Sequence, residues 1–157
     1  MKKNPNLTSQ NRLRGHDYTG AGYYFITFCT LDRKPCLGTI EDERLIPFPI
    51  GRKTRDEINR IPLELPNVEI EGSAIMPDHV HLLIYVSIES EDISVSDIVR
   101  MIKGRTSAAY RQLEPNFGGR LWQKGYSDTV VRNDRHLDEV RRYIAENALK
   151  FGKEGWW

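Results

Sequence analysis

The stretch "MPDHVHLLIYV", residues 76–86, combines a turn signal with an apolar strand and decides the fold prediction. Pro77 and Asp78 favour a tight turn, because proline presets the backbone and aspartate bonds to it locally. The eight residues that follow, 79–86, are mostly apolar and partly β-branched, as is typical of a central strand. The stretch before the turn, "VEIEGSAIM" at 68–76, also predicts a strand. We therefore expect a β-hairpin here.

The rest of the chain predicts two more strands and three helices around this hairpin. The last helix is expected to be capped by Asp134 and to end before Gly152. Its apolar stripe comprises Leu137, Val140, Ile144, Ala148 and Phe151. The other predicted elements are a strand over 23–30, a helix over 50–61 closed by Pro62 and Pro66, a helix over 95–113, and a strand over 127–131.

This order of elements, strand–helix–strand–strand–helix–strand–helix, predicts an α+β fold. Its natural closure is a ferredoxin-like four-stranded antiparallel sheet with two helices on one face, plus an added C-terminal helix. The 157 residues fit one domain, and we expect a basic N-terminal arm over 1–20 and a single domain over 21–157.

The net charge of +1 makes no overall case for a nucleic-acid partner, but the charge is segregated. Residues 1–34 carry six basic and two acidic side chains. Cys29 and Cys36 are too few and wrongly spaced for a zinc site, so we expect reduced thiols, with Cys29 buried in a strand. No apolar run reaches membrane-spanning length, and we expect a cytoplasmic protein.

His79 and His81 are two residues apart in the predicted strand, so their side chains share one face with Leu83 and Tyr85. Two imidazoles in this arrangement can converge on one metal ion. The alternative is a pair of half-buried histidines whose ring nitrogens form hydrogen bonds within the protein. A metal ion would also need a third ligand.

Tyr143 and Asn147 are neighbours on one flank of the last helix, because they are four residues apart. Plain packing would explain such a pair if the helix stood alone. Beside the two histidines, the phenol becomes a candidate nucleophile and the amide a candidate third ligand.

Several stretches resemble the HUH family of single-strand DNA transposases with one catalytic tyrosine. "MPDHVHLLI" is similar to the His-hydrophobic-His signature, and "RRYIAEN" is similar to the tyrosine helix. The resemblance is closest to the REP-associated tyrosine transposases and runs from Arg12 to Gly152. It is carried by "RLRGHDYTGAGYYFITFCTLDR", "MIKGRTS" and "LWQKGYSDTVVRNDRHLDEVRRYIAEN".

The resemblance implies that His79 and His81 bind Mg²⁺ or Mn²⁺ and that Tyr143 is the nucleophile. Asn147 stands where many insertion-sequence members have glutamine, and its shorter amide would be the third ligand. The implied activity is endonucleolytic cleavage and strand transfer of single-stranded DNA through a 5′-phosphotyrosine intermediate. The implied partner is DNA with a palindromic hairpin, bound by a monomer or a homodimer.

This chemistry is consistent with the residues themselves. A divalent ion can neutralise a phosphodiester, which otherwise resists attack by an anion. A free phenol has a pKa of about 10 and must be activated by its surroundings.

Further basic and aromatic residues are candidates for DNA binding. Arg12 and Arg14 in the arm could enter a groove of a DNA hairpin. The basic residues of the 95–113 helix could contact a DNA backbone, and a solvated helix face explains them equally well. Those residues are Arg100, Lys103, Arg105 and Arg111.

Four aromatic or imidazole side chains have less specific interpretations. Trp122 and Tyr126 could stack on bases, although Trp122 is expected in the core. Tyr126 is also the rival nucleophile. We expect His136 in a supporting or surface position, and His16 without a catalytic role.

Two other functions remain open at this point. One is a metal-dependent phosphodiesterase that uses water instead of a tyrosine. The other is a protein that binds hairpin nucleic acid without cutting it.

Overall fold

The computed structural model describes residues 21–87 and 93–147. Within them, the predicted hairpin is confirmed: β4 (Val68–Ile75) pairs antiparallel with β5 (His79–Val86). The turn is closed by the Met76 amide, which donates to the His79 carbonyl oxygen at 2.8 Å. Two other backbone amides, from Thr30 and Leu37, donate to the carbonyl oxygens of Asp78 and Pro77 at 3.0 Å. The turn is thus fixed from outside the hairpin as well.

The hairpin forms half of a four-stranded sheet. β1 (Gly22–Cys29) pairs antiparallel with β5 on one side and with β6 (Ser127–Val131) on the other. The strand order is β4-β5-β1-β6, which is the ferredoxin-like arrangement expected from the order of elements. β5 is therefore a central strand, and this explains why its residues are almost all buried.

Two helices cover one face of the sheet: α1 (Pro49–Glu64) and α2 (Val95–Leu113). α2 begins with a capping box, in which the Ser94 and Asp97 side chains each accept from the other residue's backbone amide. Alternate residues of the central strands pack against these helices. The buried residues that β1 and β5 contribute to this core are Tyr24, Ile26, Phe28, Val80, Leu82, Ile84 and Val86.

The third helix, α3 (Asp134–Ala145), packs on the opposite face of the sheet. Its stripe of Leu137, Val140 and Ile144 contacts Phe25 and Leu83. Gly72 of β4 also lies beneath this helix, and a Cβ there would make an ordinary contact with the Ile144 Cδ1 atom at 3.6 Å. Since Leu83 shares a face with His79 and His81, α3 lies on the same side of the sheet as the histidines.

Three details differ from the sequence-based expectations. α1 continues through Pro62 to Glu64, because a proline in the last turn leaves the preceding turns intact. Asn133, not Asp134, caps α3, with its side chain accepting from the His136 amide at 2.9 Å. An unpredicted hairpin pairs β2 (Gly38–Glu41) with β3 (Arg44–Pro47) before α1. Its turn uses positive φ angles at two non-glycine residues, so it carries no glycine signal.

Some predicted features lie outside the described residues. They are the basic arm with Arg12, Arg14 and His16, and the predicted last-helix positions Ala148, Phe151 and Gly152. α3 itself ends within the described residues, at Ala145 with Glu146 as its C-cap, which is earlier than predicted. Within ranges 21–87 and 93–147, no helix combines the length and apolar character needed to cross a lipid bilayer.

Candidate active site between the central strand and the last helix

His79 and His81 lie at the start of β5, each only 1% exposed, with their ring centroids 4.6 Å apart. Both rings occupy the sheet face covered by α3. Cys29 lies opposite His79 on β1, and Thr27 lies opposite His81. The register therefore surrounds the two imidazoles with polar or polarisable side chains from the neighbouring strand.

A different residue holds the Nδ1 atom of each imidazole. The Asp78 Oδ1 atom lies 2.7 Å from the His79 Nδ1 atom, and the Thr27 Oγ1 atom lies 2.6 Å from the His81 Nδ1 atom. A carboxylate only accepts, so Asp78 places the proton of a neutral His79 on Nδ1 and leaves the lone pair on Nε2. This carboxylate–histidine pairing is common behind metal-binding imidazoles.

Arg33 contacts two of the residues that lie next to His79. Its Nε atom donates to the Asp78 Oδ2 atom at 3.1 Å, and its Nη1 atom donates to the Cys29 Sγ atom at 2.8 Å. Arg33 and its neighbour Asp32 both have left-handed backbones, with φ of 56° and 55°. Such backbones are costly for residues with a Cβ, and they occur preferentially at functional sites. Cys29 and Cys36 are both half-buried, so Cys29 lies in a strand as predicted but is less buried than expected.

The electrostatics keep both imidazoles neutral. Burial lowers the pKa of His81 well below its ordinary value, and His79 and Arg33 lower it further. Burial also lowers the pKa of His79, although Asp78 and Asn147 oppose the shift. The pKa of Asp78 is lowered as well, because His79 and Arg33 outweigh the effect of its burial. At neutral pH the cluster is therefore a carboxylate behind two uncharged rings.

Tyr143 reaches this cluster from α3. Its hydroxyl oxygen lies 3.4 Å from the His81 Nε2 atom, although the two residues are 62 positions apart. The half-buried ring packs edge-on against Phe25, with centroids 5.8 Å apart. The phenol is thus aimed at the imidazole nitrogen that faces away from Thr27.

Asn147 follows α3 and is 4% exposed. Its side chain interacts with His79 and raises the pKa of that imidazole. Its buried Oδ1 atom has no hydrogen-bond partner in the described part of the chain. A buried amide oxygen without a partner calls for an explanation, and an absent ion is one of the common ones.

Three side chains in this region could act as ligands of a divalent cation. They are the imidazole nitrogens of His79 and His81 and the amide oxygen of Asn147. Among the described residues, no group of three or more His, Cys, Asp and Glu side chains could hold a metal ion. A site here would therefore depend on the asparagine. These nitrogen and oxygen donors differ from the thiolates that select soft metal ions.

The other candidate tyrosine, Tyr126, lies on the far side of the sheet. Its ring packs against the α1–α2 core, and its hydroxyl oxygen lies 2.6 Å from the Ser96 Oγ atom on α2. Trp122 is in the core as expected, with its Nε1 atom donating to the Thr106 Oγ1 atom at 2.8 Å. His136 lies half-buried in the first turn of α3.

The four basic residues of α2 do not form one surface. Arg105 is paired with Glu57 and Glu64 of α1, at 3.5 and 2.6 Å. The other three line a cavity on the opposite flank of the helix, namely Arg100, Lys103 and Arg111.

Three residues around the imidazoles were not anticipated: Thr27, Arg33 and Asp78. Asp78 had a usable signal, because it directly precedes His79 in the sequence. Thr27 reaches the site through the strand register, and Arg33 reaches it through a left-handed turn. Neither feature can be predicted from the local sequence.

Comparison with known proteins identifies the family to which this chain belongs. The family model described as "Transposase IS200 like" matches residues 20–147. The match includes the sheet, all three helices, Tyr143 and Asn147. The chain therefore belongs to the IS200-like transposases, a family of tyrosine transposases that act on single-stranded DNA. It is an enzyme of this class.

The chain is also similar to two individual proteins. An uncharacterized protein of Haemophilus influenzae is 23% identical over 157 residues, covering 88% of this chain and 86% of the relative. The ISDra2 transposase TnpA of Deinococcus radiodurans is 36% identical over 82 residues, covering 49% of this chain and 56% of the relative.

Two solved structures share the fold. A REP-associated tyrosine transposase bound to a REP hairpin superimposes with a TM-score of 0.65 at 20% identity, covering 93% of this chain and 76% of that one. A candidate transposase from Deinococcus radiodurans superimposes with a TM-score of 0.52 at 24% identity, covering 85% of this chain and 95% of that one.

Proposed function

We propose that this transposase cleaves single-stranded DNA beside a hairpin, with Tyr143 as the nucleophile and with a divalent metal ion held by His79, His81 and Asn147. The observation that carries the proposal is the 3.4 Å between the Tyr143 hydroxyl oxygen and the His81 Nε2 atom. It brings a candidate nucleophile to the pair of imidazoles that would bind the cation.

The metal ion, when bound, supplies a positive charge that neutralises the oxygens of the scissile phosphate. His79 and His81 would hold it through Nε2, because their Nδ1 atoms face Asp78 and Thr27. Asn147 would add its buried Oδ1 atom. Mg²⁺ and Mn²⁺ are the ions that the resemblance to the HUH transposases implies, and the amide oxygen of Asn147 suits either of them.

Tyr143 performs the covalent step. Its hydroxyl oxygen forms a bond to the phosphorus, and the bond from phosphorus to the 3′ oxygen breaks. The phenol loses one proton in this step, and the departing 3′ oxygen takes up one proton. The products are a 5′-phosphotyrosine on the downstream strand and a free 3′-OH upstream, and attack by another 3′-OH reverses the step without ATP.

An unpaired strand is the expected substrate, because regular stacking in a duplex would keep the scissile phosphate from a half-buried tyrosine. Hairpin recognition is supported by the related transposase whose structure is bound to a REP hairpin.

A denaturing gel tests the covalent step. A 3′-labelled hairpin oligonucleotide with an unpaired flank is incubated with the protein and manganese. We expect a slowly migrating adduct with the wild type and with Tyr126→Phe, but not with Tyr143→Phe. Cleavage without any adduct, undiminished in Tyr143→Phe, would assign the chain to the phosphodiesterases that use water. An adduct lost only in Tyr126→Phe would identify the other tyrosine.

The same assay tests the metal site. EDTA, or the double change His79→Ala and His81→Ala, should abolish the adduct while hairpin binding persists. His136→Ala is the matched control and should form the adduct normally. Full cleavage after exhaustive metal removal would contradict the proposed site, and hairpin binding without cleavage under any condition would indicate a binding protein.

A further inference from the structure

A cavity of about 610 Å³ opens between α2 and the segment 119–126, which leads into β6. This volume lies within the range of about 300–1,000 Å³ that is usual for sites of small organic molecules. Five of its lining residues are cationic, and none of the described lining residues is acidic. The five are Arg100, Lys103, Arg111, Arg120 and Lys124.

These positive charges are mostly not neutralised within the protein. Arg100 pairs with Asp97 at 3.2 Å in an exposed position. Lys103 donates to two backbone carbonyl oxygens, of Gln123 and Gly125, each at 2.7 Å. Ion pairs within the described ranges include neither Arg111 nor Arg120 nor Lys124. Cations gathered without carboxylates favour an anionic ligand with several charges.

The remaining walls suit a nucleotide base. Gly104 of α2 borders the cavity, and a Cβ at this position would meet no atom within 4 Å. Tyr126 adds an aromatic wall, and the contact between its hydroxyl and Ser96 at 2.6 Å holds the ring in place. Cations combined with an aromatic surface are the usual means of binding single strands without reading their sequence.

The cavity borders the end of the sheet that carries the histidines. The Gln123 amide donates to the Cys29 carbonyl oxygen at 2.9 Å, and Cys29 lies opposite His79. The segment then enters β6, where Ser127 pairs with Thr27, the residue that contacts His81. The cavity and the imidazoles thus lie at one end of the sheet, on its two faces.

We propose that this cavity binds an unpaired part of the DNA strand whose cleavage is proposed for Tyr143. The identity of the ligand as DNA rests on the proposed function. The location rests on the cations, the open glycine and the aromatic wall. A single strand that leaves Tyr143 around the end of the sheet meets this cavity next.

Binding of a fluorescent oligo(dT) strand tests the proposal. Its affinity for the full chain is measured in EDTA over a range of salt concentrations, so that no cleavage occurs. Each phosphate contact on a single strand contributes about 0.7 to the slope of log K against log salt. The double change Arg120→Ser and Lys124→Ser should therefore reduce the slope by about 1.4. The control pair Arg44→Ser and Arg55→Ser removes the same charge outside the cavity and should leave the slope unchanged.

A second variant separates binding from folding. Gly104→Leu fills the open space and replaces a poor helix former, so the protein should melt at a higher temperature yet bind oligo(dT) more weakly. A duplex competitor should displace oligo(dT) poorly. Wild-type binding by Gly104→Leu, equal effects of the two serine pairs, or equal competition by duplex would each overturn the proposal. The adduct assay tests the cleavage separately. If the adduct forms but the cavity variants bind oligo(dT) normally, only the cavity proposal fails. If the cavity variants lose binding but no adduct forms, only the cleavage proposal fails.

Discussion

The Thr27 hydroxyl oxygen lies 2.6 Å from the His81 Nδ1 atom, across the paired strands β1 and β5. This contact fixes the plane of a buried ring and directs its Nε2 atom at the Tyr143 hydroxyl, 3.4 Å away. Thr27 is therefore a positioning residue, which acts on the site through His81.

Replacing Thr27 tests this role. Thr27→Val keeps the shape of the side chain and removes the hydroxyl, so His81 loses its orienting partner. We expect the manganese concentration for half-maximal adduct formation to rise, by about 10- to 100-fold. Thr27→Ser restores the oxygen and should restore most of the affinity. An unchanged manganese requirement in Thr27→Val would show that strand packing alone orients His81.

Asp78 should have a comparable effect on His79. Asp78→Asn removes the carboxylate that accepts from Nδ1 and leaves Arg33 without its anionic partner. We expect Mn²⁺ binding, measured by titration calorimetry, to weaken by about 10- to 100-fold. Asp138→Asn changes the same charge on the exposed side of α3 and serves as the control. Equal binding by the two variants would remove Asp78 from the site.

The packing of α3 makes a prediction about stability. Ile144 is buried against Phe25 and Leu83, so Ile144→Ala should lower the free energy of unfolding by about 2–5 kcal/mol. Asn147→Ala removes an amide oxygen that has no partner within the described ranges, so the loss should stay under about 1 kcal/mol. Denaturant titrations measure both values. Similar losses would mean that Asn147 holds the helix in place and is not kept for a ligand.

The basic residues of α2 should separate into two groups. Arg105→Ala breaks pairs with Glu57 and Glu64 and should cost about 1 kcal/mol of stability with little change in DNA affinity. Arg111→Ala should do the reverse, because Arg111 is exposed and borders the cavity. Melting curves and anisotropy titrations of the two variants distinguish these outcomes. Weaker DNA binding by Arg105→Ala alone would place the DNA on the α1 side.

The elements with strong local patterns were predicted well. The ends of β5, α2 and β6 agree with the predicted ranges, because turn residues and apolar periodicity coincide there. The order of strands followed from the order of elements, since few topologies close such a sheet. The β2–β3 hairpin was missed because its strands are four residues long and its turn lacks glycine.

The site was predictable to the extent that it is local. Spacing alone put His79 beside His81, because the strand period is fixed. The pairing of Tyr143 with Asn147 on one helix stays a prediction, because α3 ends at Ala145. The partners of these residues were not local. Arg105 shows the limit most clearly, since its role depends on Glu57 and Glu64, which are more than 40 positions away in the sequence.

Selection for a stable fold and selection for enzymatic activity should favour different residues in the left-handed turn at Asp32 and Arg33. Each of these backbones costs about 1–3 kcal/mol, and glycine would relieve the cost at either position. A library randomised at both positions and sorted only for folded protein would therefore accumulate glycine and asparagine. The same library sorted for DNA cleavage would retain arginine at position 33, because only a guanidinium reaches both the carboxylate and the thiol behind His79. Improving the fold and keeping the enzyme active are therefore opposed demands at position 33.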